Sequence, residues 1–115
     1  MNRRAAALVA LALALPALPA PAFAAPRAES IGAPPTPTQL LGRWGDNGDC
    51  SKDVIFRGDG TFRSYTGGEG SWRLAGERLT MTGPNGSFLL HVRRIGRDRL
   101  RIVNPDGSVG FSQRC

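Results

Sequence analysis

Three carboxylates, Asp46, Asp49 and Glu69, are the side chains of this sequence that could act as a paired general acid and base. Hydrolysis of the glycosidase type needs two such groups held a fixed distance apart in a cleft. The part of the chain that can fold is small, so it offers little room for a cleft and few titratable groups that could converge. We therefore predict a protein that is not an enzyme. A small hydrolytic enzyme that uses these carboxylates is the alternative.

Metal and cofactor chemistry have weaker support in the sequence. The segment of residues 46–53 holds three aspartates and one asparagine, and oxygen ligands at such a spacing are able to hold calcium. The segment lacks the regular ligand spacing and the final glutamate of a helix-loop-helix site, and Asp and Asn are common in turns. The single His91 and two cysteines are too few for a structural zinc site. We predict no metal and no cofactor.

Arginines crowd one predicted hairpin near the end of the sequence, in a chain whose formal net charge is +6. They are Arg93, Arg94, Arg97, Arg99 and Arg101. The simpler explanation is a charged outward face, which protects a sheet from edge pairing. The functional alternative is a binding surface for lipid phosphate, a polyanionic glycan or an acidic protein. Nucleic acid is not expected as a partner, because no aromatic side chain interleaves these arginines.

Residues 1–24 have the three parts of a secretory signal peptide. Arg3 and Arg4 give a charged start, an Ala/Leu run follows over residues 5–15, and residues 22–24 fit a cleavage site. Prolines interrupt the apolar run well before the roughly 20 residues that a membrane-spanning helix needs. We predict a periplasmic or secreted protein whose mature chain has no transmembrane segment.

Export would affect the oxidation state of Cys50 and Cys115, the only cysteines in the sequence. An oxidising compartment favours a disulfide between them, and free thiols or pairing between two chains are the alternatives. The bond would close a loop of roughly 65 residues, for which chain entropy gives about 4 kcal/mol. Such a staple matters because residues 40–115, the predicted domain, are enough for one small core only. Residues 25–39, rich in Pro, Ala and Thr, are predicted to form a flexible N-terminal arm.

From residue 40 onward the sequence alternates apolar and polar residues and is cut at short intervals by Gly, Asp, Asn and Pro. This pattern predicts strands and hairpins. The predicted strands cover residues 39–44, 53–57, 61–66, 71–75, 78–82, 87–95, 99–104 and 108–114. The lengths of the turns predict Leu74 opposite Leu79, Trp72 opposite Met81, Met81 opposite Phe88, Leu79 opposite Leu90, and Phe56 opposite Phe62.

One position breaks the alternation. Val92 and Ile95 are both apolar, but they are three positions apart, so a regular strand would place their side chains on opposite faces. An extra residue at Arg93-Arg94, opposite Arg101, would restore two inward pairs, Val92 with Ile102 and Ile95 with Leu100. We therefore predict a β-bulge in this hairpin.

Hairpin-linked strands with one apolar face must cover that face. Closing the sheet into a barrel covers it and removes both sheet edges. We predict an all-β fold, namely a small eight-stranded antiparallel up-and-down barrel. The disulfide would pin the barrel where the first strand meets the last, and a monomer is expected.

The start of the first predicted strand carries a family resemblance. Gly42 and Trp44, in an exported barrel, resemble the Gly-x-Trp signature of the lipocalin-like, or calycin, barrels. The resemblance implies that the tryptophan closes one end of the barrel against an arginine from near the end of the chain. Arg114 is the residue in the matching position here.

A second resemblance is to small periplasmic inhibitors of secreted bacterial metalloproteases. It is carried by residues 34–41, Gly42, Trp44 and the following Cys50. The resemblance implies an N-terminal arm that enters the protease cleft. The sequence thus predicts a non-enzymatic binding or inhibitor module, whose partner is an anionic ligand, an anionic envelope component or an envelope protein such as a protease.

Overall fold

The computed structural model describes residues 31–115, in which a short helix precedes a closed barrel of eight antiparallel strands. The elements are α1 (Pro37–Leu40), β1 (Gly42–Asp46), β2 (Asp49–Phe56), β3 (Thr61–Ser64), β4 (Glu69–Ala75), β5 (Arg78–Gly83), β6 (Gly86–Ile95), β7 (Arg99–Val103) and β8 (Val109–Arg114). Each strand pairs with the next, and β1 also pairs with β8. The predicted all-β up-and-down barrel is confirmed. The predicted signal peptide lies outside the described residues.

The strand registers follow the lengths of the turns. Leu74 pairs with Leu79, Trp72 with Met81, Met81 with Phe88, Leu79 with Leu90, and Phe56 with Phe62. All of these pairs are confirmed predictions. A strand's side chains alternate between its two faces, so a short loop that fixes one pair also decides which residues face the barrel interior.

The disulfide lies across the seam of the barrel and confirms the predicted pairing. Cys50 is near the start of β2, Cys115 follows β8, and their Cα atoms are 5.9 Å apart. The strand between them is β1, and the Arg43 carbonyl of β1 accepts a hydrogen bond from the Cys115 backbone N–H at 2.9 Å. The bond therefore ties β2 to the chain end across the strand that closes the barrel.

The first predicted strand is partly wrong, because residues 37–40 are helical. Thr36 caps the helix: its hydroxyl accepts from the Gln39 backbone N–H at 3.2 Å, and the Gln39 side chain accepts from the Thr36 N–H at 3.0 Å. Pro37 follows the cap, where its fixed φ suits a first helical turn. Because this capping box favours a helical turn over residues 37–40, the first strand begins only at Gly42.

The predicted bulge at Arg93-Arg94 is also wrong. The β6–β7 ladder is regular: Val92 pairs with Ile102 as expected, but Arg93 pairs with Arg101 and Ile95 pairs with Arg99. The prediction required every buried apolar residue to face the barrel interior. Ile95 is buried outside the main core cluster, at the point where residues 31–33 run beside β6 and make an isolated bridge to it.

The core lies inside the barrel and is richest in large side chains toward one end. It consists of Leu40, Trp44, Phe56, Phe62, Leu79, Met81, Val92 and Leu100. Phe56 and Trp72 pack edge to face with their ring centroids 5.7 Å apart, an arrangement that aromatic rings favour. Large rings thus fill part of the interior, and the rest is lined by aliphatic side chains.

Candidate ligand-binding cavity

One end of the barrel, called the closed end, is sealed by Trp44 and Arg114. Trp44 is almost fully buried, and its indole N–H donates to the Leu40 carbonyl at 2.8 Å. The Arg114 guanidinium lies 4.2 Å from the centroid of the Trp44 ring, within the range of a cation–π contact. It also donates to the carbonyls of Leu41 and Gln39, at 2.9 and 2.8 Å. The structure thus brings together the two residues that the lipocalin resemblance pairs.

Gly42 contributes to the same end through its backbone. Its φ of +113° lies in a region that side chains with a Cβ rarely adopt, and an added Cβ would lie 2.9 Å from Nη1 of Arg114. A larger residue would strain the chain and displace the guanidinium. Glycine at this position therefore lets α1 and β1 approach Arg114 closely.

Above this seal the interior holds a cavity of about 510 Å³. Leu40, Trp44 and Leu100 form its floor, next to the closed end. The walls are mainly aliphatic, and they include Leu79, Met81, Leu90, Val92 and Ile102. Small inward residues leave the space: Ser112 stands opposite Leu100, and Ser64 stands opposite Val54.

The cavity opens at the other end of the barrel, called the open end, where the β1–β2, β3–β4 and β5–β6 turns meet. Tyr65 and Phe88 line this mouth and remain 56% and 45% exposed. Asp46, Lys52 and Glu69 add charged groups beside these rings. The site thus has an apolar interior and a rim of aromatic and charged side chains.

A cavity of this size and lining suits a small organic ligand. Pockets of about 300–1,000 Å³ with mostly apolar walls and a few polar groups are typical of small-molecule sites. Here the charged groups stand at the mouth, and the walls below it are mainly apolar, with Ser64 and Ser112 as small polar residues among them. The matching molecule has a hydrocarbon body and one polar end.

The three candidate catalytic carboxylates are distributed over two turns. Asp46 and Glu69 line the mouth, whereas Asp49 is not among the lining residues. The hydroxyl and backbone N–H of Ser51 donate to Asp49 at 2.6 and 2.9 Å, and these bonds hold the pKa of Asp49 below its ordinary value of 3.8. Glu69 lies 3.5 Å from the Arg57 guanidinium. A general acid at neutral pH needs a raised pKa, so the lowered value suits Asp49 to a structural role in its turn.

The structure divides the arginine cluster between two faces. Arg93 donates to Glu77 at 2.7 Å and stands opposite Arg101, and the Arg99 guanidinium lies 5.5 Å from the centroid of the Phe111 ring. Arg94 instead shares the inward face with Leu100. Arg94 and Arg97 line a second cavity, of about 320 Å³, at the closed end.

Residues 31–115 contain no group of three or more His, Cys, Asp or Glu side chains placed to hold a metal ion. Within the same residues, no helix has the length and apolar character needed to cross a bilayer.

Comparisons with known proteins add no assignment: no protein-family model, curated protein or solved structure matches the chain.

The cavity is the feature that sequence reasoning missed. Its signal is weak, because it consists of small residues at inward positions, such as Gly110 and Ser112 on β8 and Ser64 on β3. In a strand pattern, small residues are equally compatible with close packing. Only the closed barrel shows that Ser64 and Ser112 face the same open space.

Proposed function

We propose that this protein is an exported, non-enzymatic binding module of the lipocalin-like type, and that its ligand is a small amphipathic molecule. The hydrocarbon body of the ligand occupies the cavity, and its polar end stays at the mouth. One observation carries the proposal: an aliphatic cavity of about 510 Å³ that is sealed at one end and open at the other.

The hydrophobic effect supplies the affinity. Burying about 300 Å² of ligand hydrocarbon at about 25 cal/mol per Å² contributes roughly 7 kcal/mol. That gain corresponds to a dissociation constant of about 10 μM, before the cost of immobilising the ligand is subtracted. We therefore expect micromolar or weaker binding of simple probes.

The rim selects the polar end of the ligand. Lys52 offers a cation, Asp46 and Glu69 offer carboxylates, and the exposed Tyr65 ring offers an apolar face with a hydroxyl. Such mixed charges favour a polar or zwitterionic end over a strongly anionic one, because three of the four charged lining residues, Asp46, Asp53 and Glu69, are acids.

The remaining support comes from the barrel end and from the predicted compartment. Gly42, Trp44 and Arg114 meet as the resemblance to lipocalin-like barrels implies, and barrels of that family are cups with one closed end. The signal peptide predicted from residues 1–24 and the Cys50–Cys115 bond both fit an oxidising compartment outside the cytoplasm.

The test uses a neutral, largely apolar fluorescent probe, N-phenyl-1-naphthylamine, with two matched variants on β6. Leu90 lines the cavity, whereas Leu89 faces the opposite side of the strand. In Leu90→Trp the added ring fills the cavity, so we expect probe affinity to fall by at least about tenfold. In Leu89→Trp the ring points outward, so affinity should stay within about twofold of the native protein.

Thermal unfolding of both variants is the control for correct folding. Native mass spectrometry of protein purified without detergent adds an independent readout, because a retained small molecule appears as a defined mass increment. The proposal is wrong if the probe shows no saturable binding, or if both tryptophan variants bind it as the native protein does.

A further inference from the structure

The smaller cavity at the closed end, called the closed-end pocket, is separate from the ligand cavity. Its volume is about 320 Å³. Its lining residues are Pro35, Gln39, Trp44, Arg94, Arg97, Asp98, Leu100 and Arg114. Trp44 and Leu100 line both cavities, so they form the wall between them.

The closed-end pocket carries an excess of positive charge. Three guanidinium groups line it, and the one carboxylate of the lining, Asp98, lies 3.6 Å from Nε of Arg114. Within residues 31–115, the side chains of Arg94 and Arg97 have neither an acidic partner nor a hydrogen-bond acceptor. Among the described residues, two of the three guanidiniums therefore have no partner for their donors.

Arg94 is the more informative of these two residues. It is only half-buried, but its backbone is fixed: its N–H donates to the Ala33 carbonyl at 2.9 Å, and its carbonyl accepts from the Gly32 N–H at 2.7 Å. The regular β6–β7 register then places its side chain on the inward face, opposite Leu100. Partial burial of a charge without a counter-ion is costly, and a bound anion removes that cost.

The third arginine makes the pocket rigid. Arg114 is held by the carbonyls of Leu41 and Gln39 and by the Trp44 ring. It presents a fixed positive charge and needs no rearrangement when an anion enters. Preorganised charge of this kind reduces the cost of binding.

We propose that the closed-end pocket binds a phosphate-type oxyanion, with Arg94 and Arg97 as its donors and Arg114 as a fixed charge behind them. Guanidinium forks match the oxygens of phosphate in bidentate fashion. Three arginines and one aspartate leave two positive charges, which match the charge of about −1.5 to −2 on a phosphate monoester at neutral pH. A carboxylate would neutralise only one of them. This site goes beyond the proposed function, because a different cavity forms it.

The phosphate group has two possible sources, and the experiment separates them. Isothermal titration with inorganic phosphate at moderate salt tests the free ion. Sedimentation with vesicles of phosphatidic acid in phosphatidylcholine, compared with phosphatidylcholine alone, tests a lipid headgroup. Saturable binding in either arm fits the proposal and identifies the source.

The variants Arg94→Gln and Arg93→Gln remove the same charge from adjacent positions of one strand. Arg94 lines the pocket, whereas Arg93 faces outward and is bonded to Glu77. We expect Arg94→Gln to weaken phosphate or vesicle binding by about tenfold or more, because it removes charge-assisted hydrogen bonds. Arg93→Gln should change it by less than about twofold, and Leu90→Trp should leave it unchanged.

The melting temperature of each variant checks that the fold is retained. The proposal is overturned if neither phosphate nor phosphatidic acid vesicles bind. It is equally overturned if the two glutamine variants lose binding to the same extent, since that result would indicate diffuse attraction to the basic hairpin.

Discussion

The two ends of the barrel differ in what their side chains do. At the closed end Trp44 and Arg114 are fixed by three hydrogen bonds to backbone carbonyls and by contact with each other. At the open end Tyr65 and Phe88 are exposed around a cavity. The difference indicates that the Trp44–Arg114 seal stabilises the fold, whereas the open end gives access to the ligand cavity. Changes at the two ends should therefore have different effects.

The largest expected effect is loss of the tryptophan that seals the closed end. Trp44→Ala should lower the free energy of unfolding by about 3–5 kcal/mol, because it empties a large buried volume. Tyr65→Ala, at the open end, is the matched aromatic control and should cost less than about 0.5 kcal/mol. Urea denaturation measures both.

The milder Trp44→Phe should fall between these two variants. It keeps a ring but loses the indole N–H that donates to Leu40. Equal losses for Trp44→Ala and Tyr65→Ala would remove the distinction between the two ends.

The second largest loss of stability is expected from the disulfide beside the seam, where β1, the strand that carries Trp44, pairs with β8. Replacing both Cys50 and Cys115 by serine should cost about 2–4 kcal/mol, because the reduced unfolded chain gains conformational freedom. Where the double variant remains folded, it should still bind N-phenyl-1-naphthylamine, since neither cysteine lines the cavity. Unchanged stability would show that the strand pairing of β1 with β8 closes the barrel without the bond.

A smaller loss of stability is expected when Arg114 is replaced. Arg114→Gln removes two charge-assisted hydrogen bonds and the contact with Trp44, and it should cost about 1.5–3 kcal/mol. Arg101→Gln, on the outward face of β7, should cost less than about 0.5 kcal/mol. Calorimetric melting of the two variants makes the comparison, and similar melting temperatures would contradict the sealing role of Arg114.

The smallest expected effect is a pH dependence of folding stability, to which turns at both ends of the barrel contribute. Hydrogen bonds from Ser51, Thr61 and Ser108 lower the pKa of Asp49, Asp59 and Asp106 below 3.8. The pKa of Glu77 is held below 4.5, mainly by the hydrogen bond and charge of Arg93.

These carboxylates bind protons less readily in the folded chain than in the unfolded chain. Their contribution to stability is therefore complete above the ordinary values of 3.8 and 4.5, and it is lost as the pH falls through the lower folded-state values. The melting temperature should be flat near neutral pH and fall modestly in acid. A melting temperature that rises on acidification would contradict this sign.

The sequence predicted the hairpins well, because turn length and the two-residue period together define a register. Leu74 and Leu79 show this directly: a two-residue turn leaves one pairing that keeps both inside. The short helix was missed because four residues carry no apolar stripe, although Thr36 and Gln39 form a recognisable capping box.

The bulge prediction failed for a different reason. Ile95 is buried outside the core cluster, where residues 31–33 pair with β6, and such a long-range contact leaves no trace in local alternation. The cavity and the closed-end pocket were likewise unpredictable in detail, since each depends on how side chains from several strands leave space in a closed barrel. The pairing of Arg114 with Trp44 came from a family resemblance and not from any pattern in this chain.

The most direct test of the central claim is methyl NMR of the native protein during titration with an amphipathic ligand such as a medium-chain alcohol. The cup-like cavity predicts saturating shift changes at Leu79, Leu90 and Val92, which line it, and little change at Val109, which is exposed on the outer face. Shift changes confined to Val109 and its neighbours, or none at the three cavity methyls, would contradict the account.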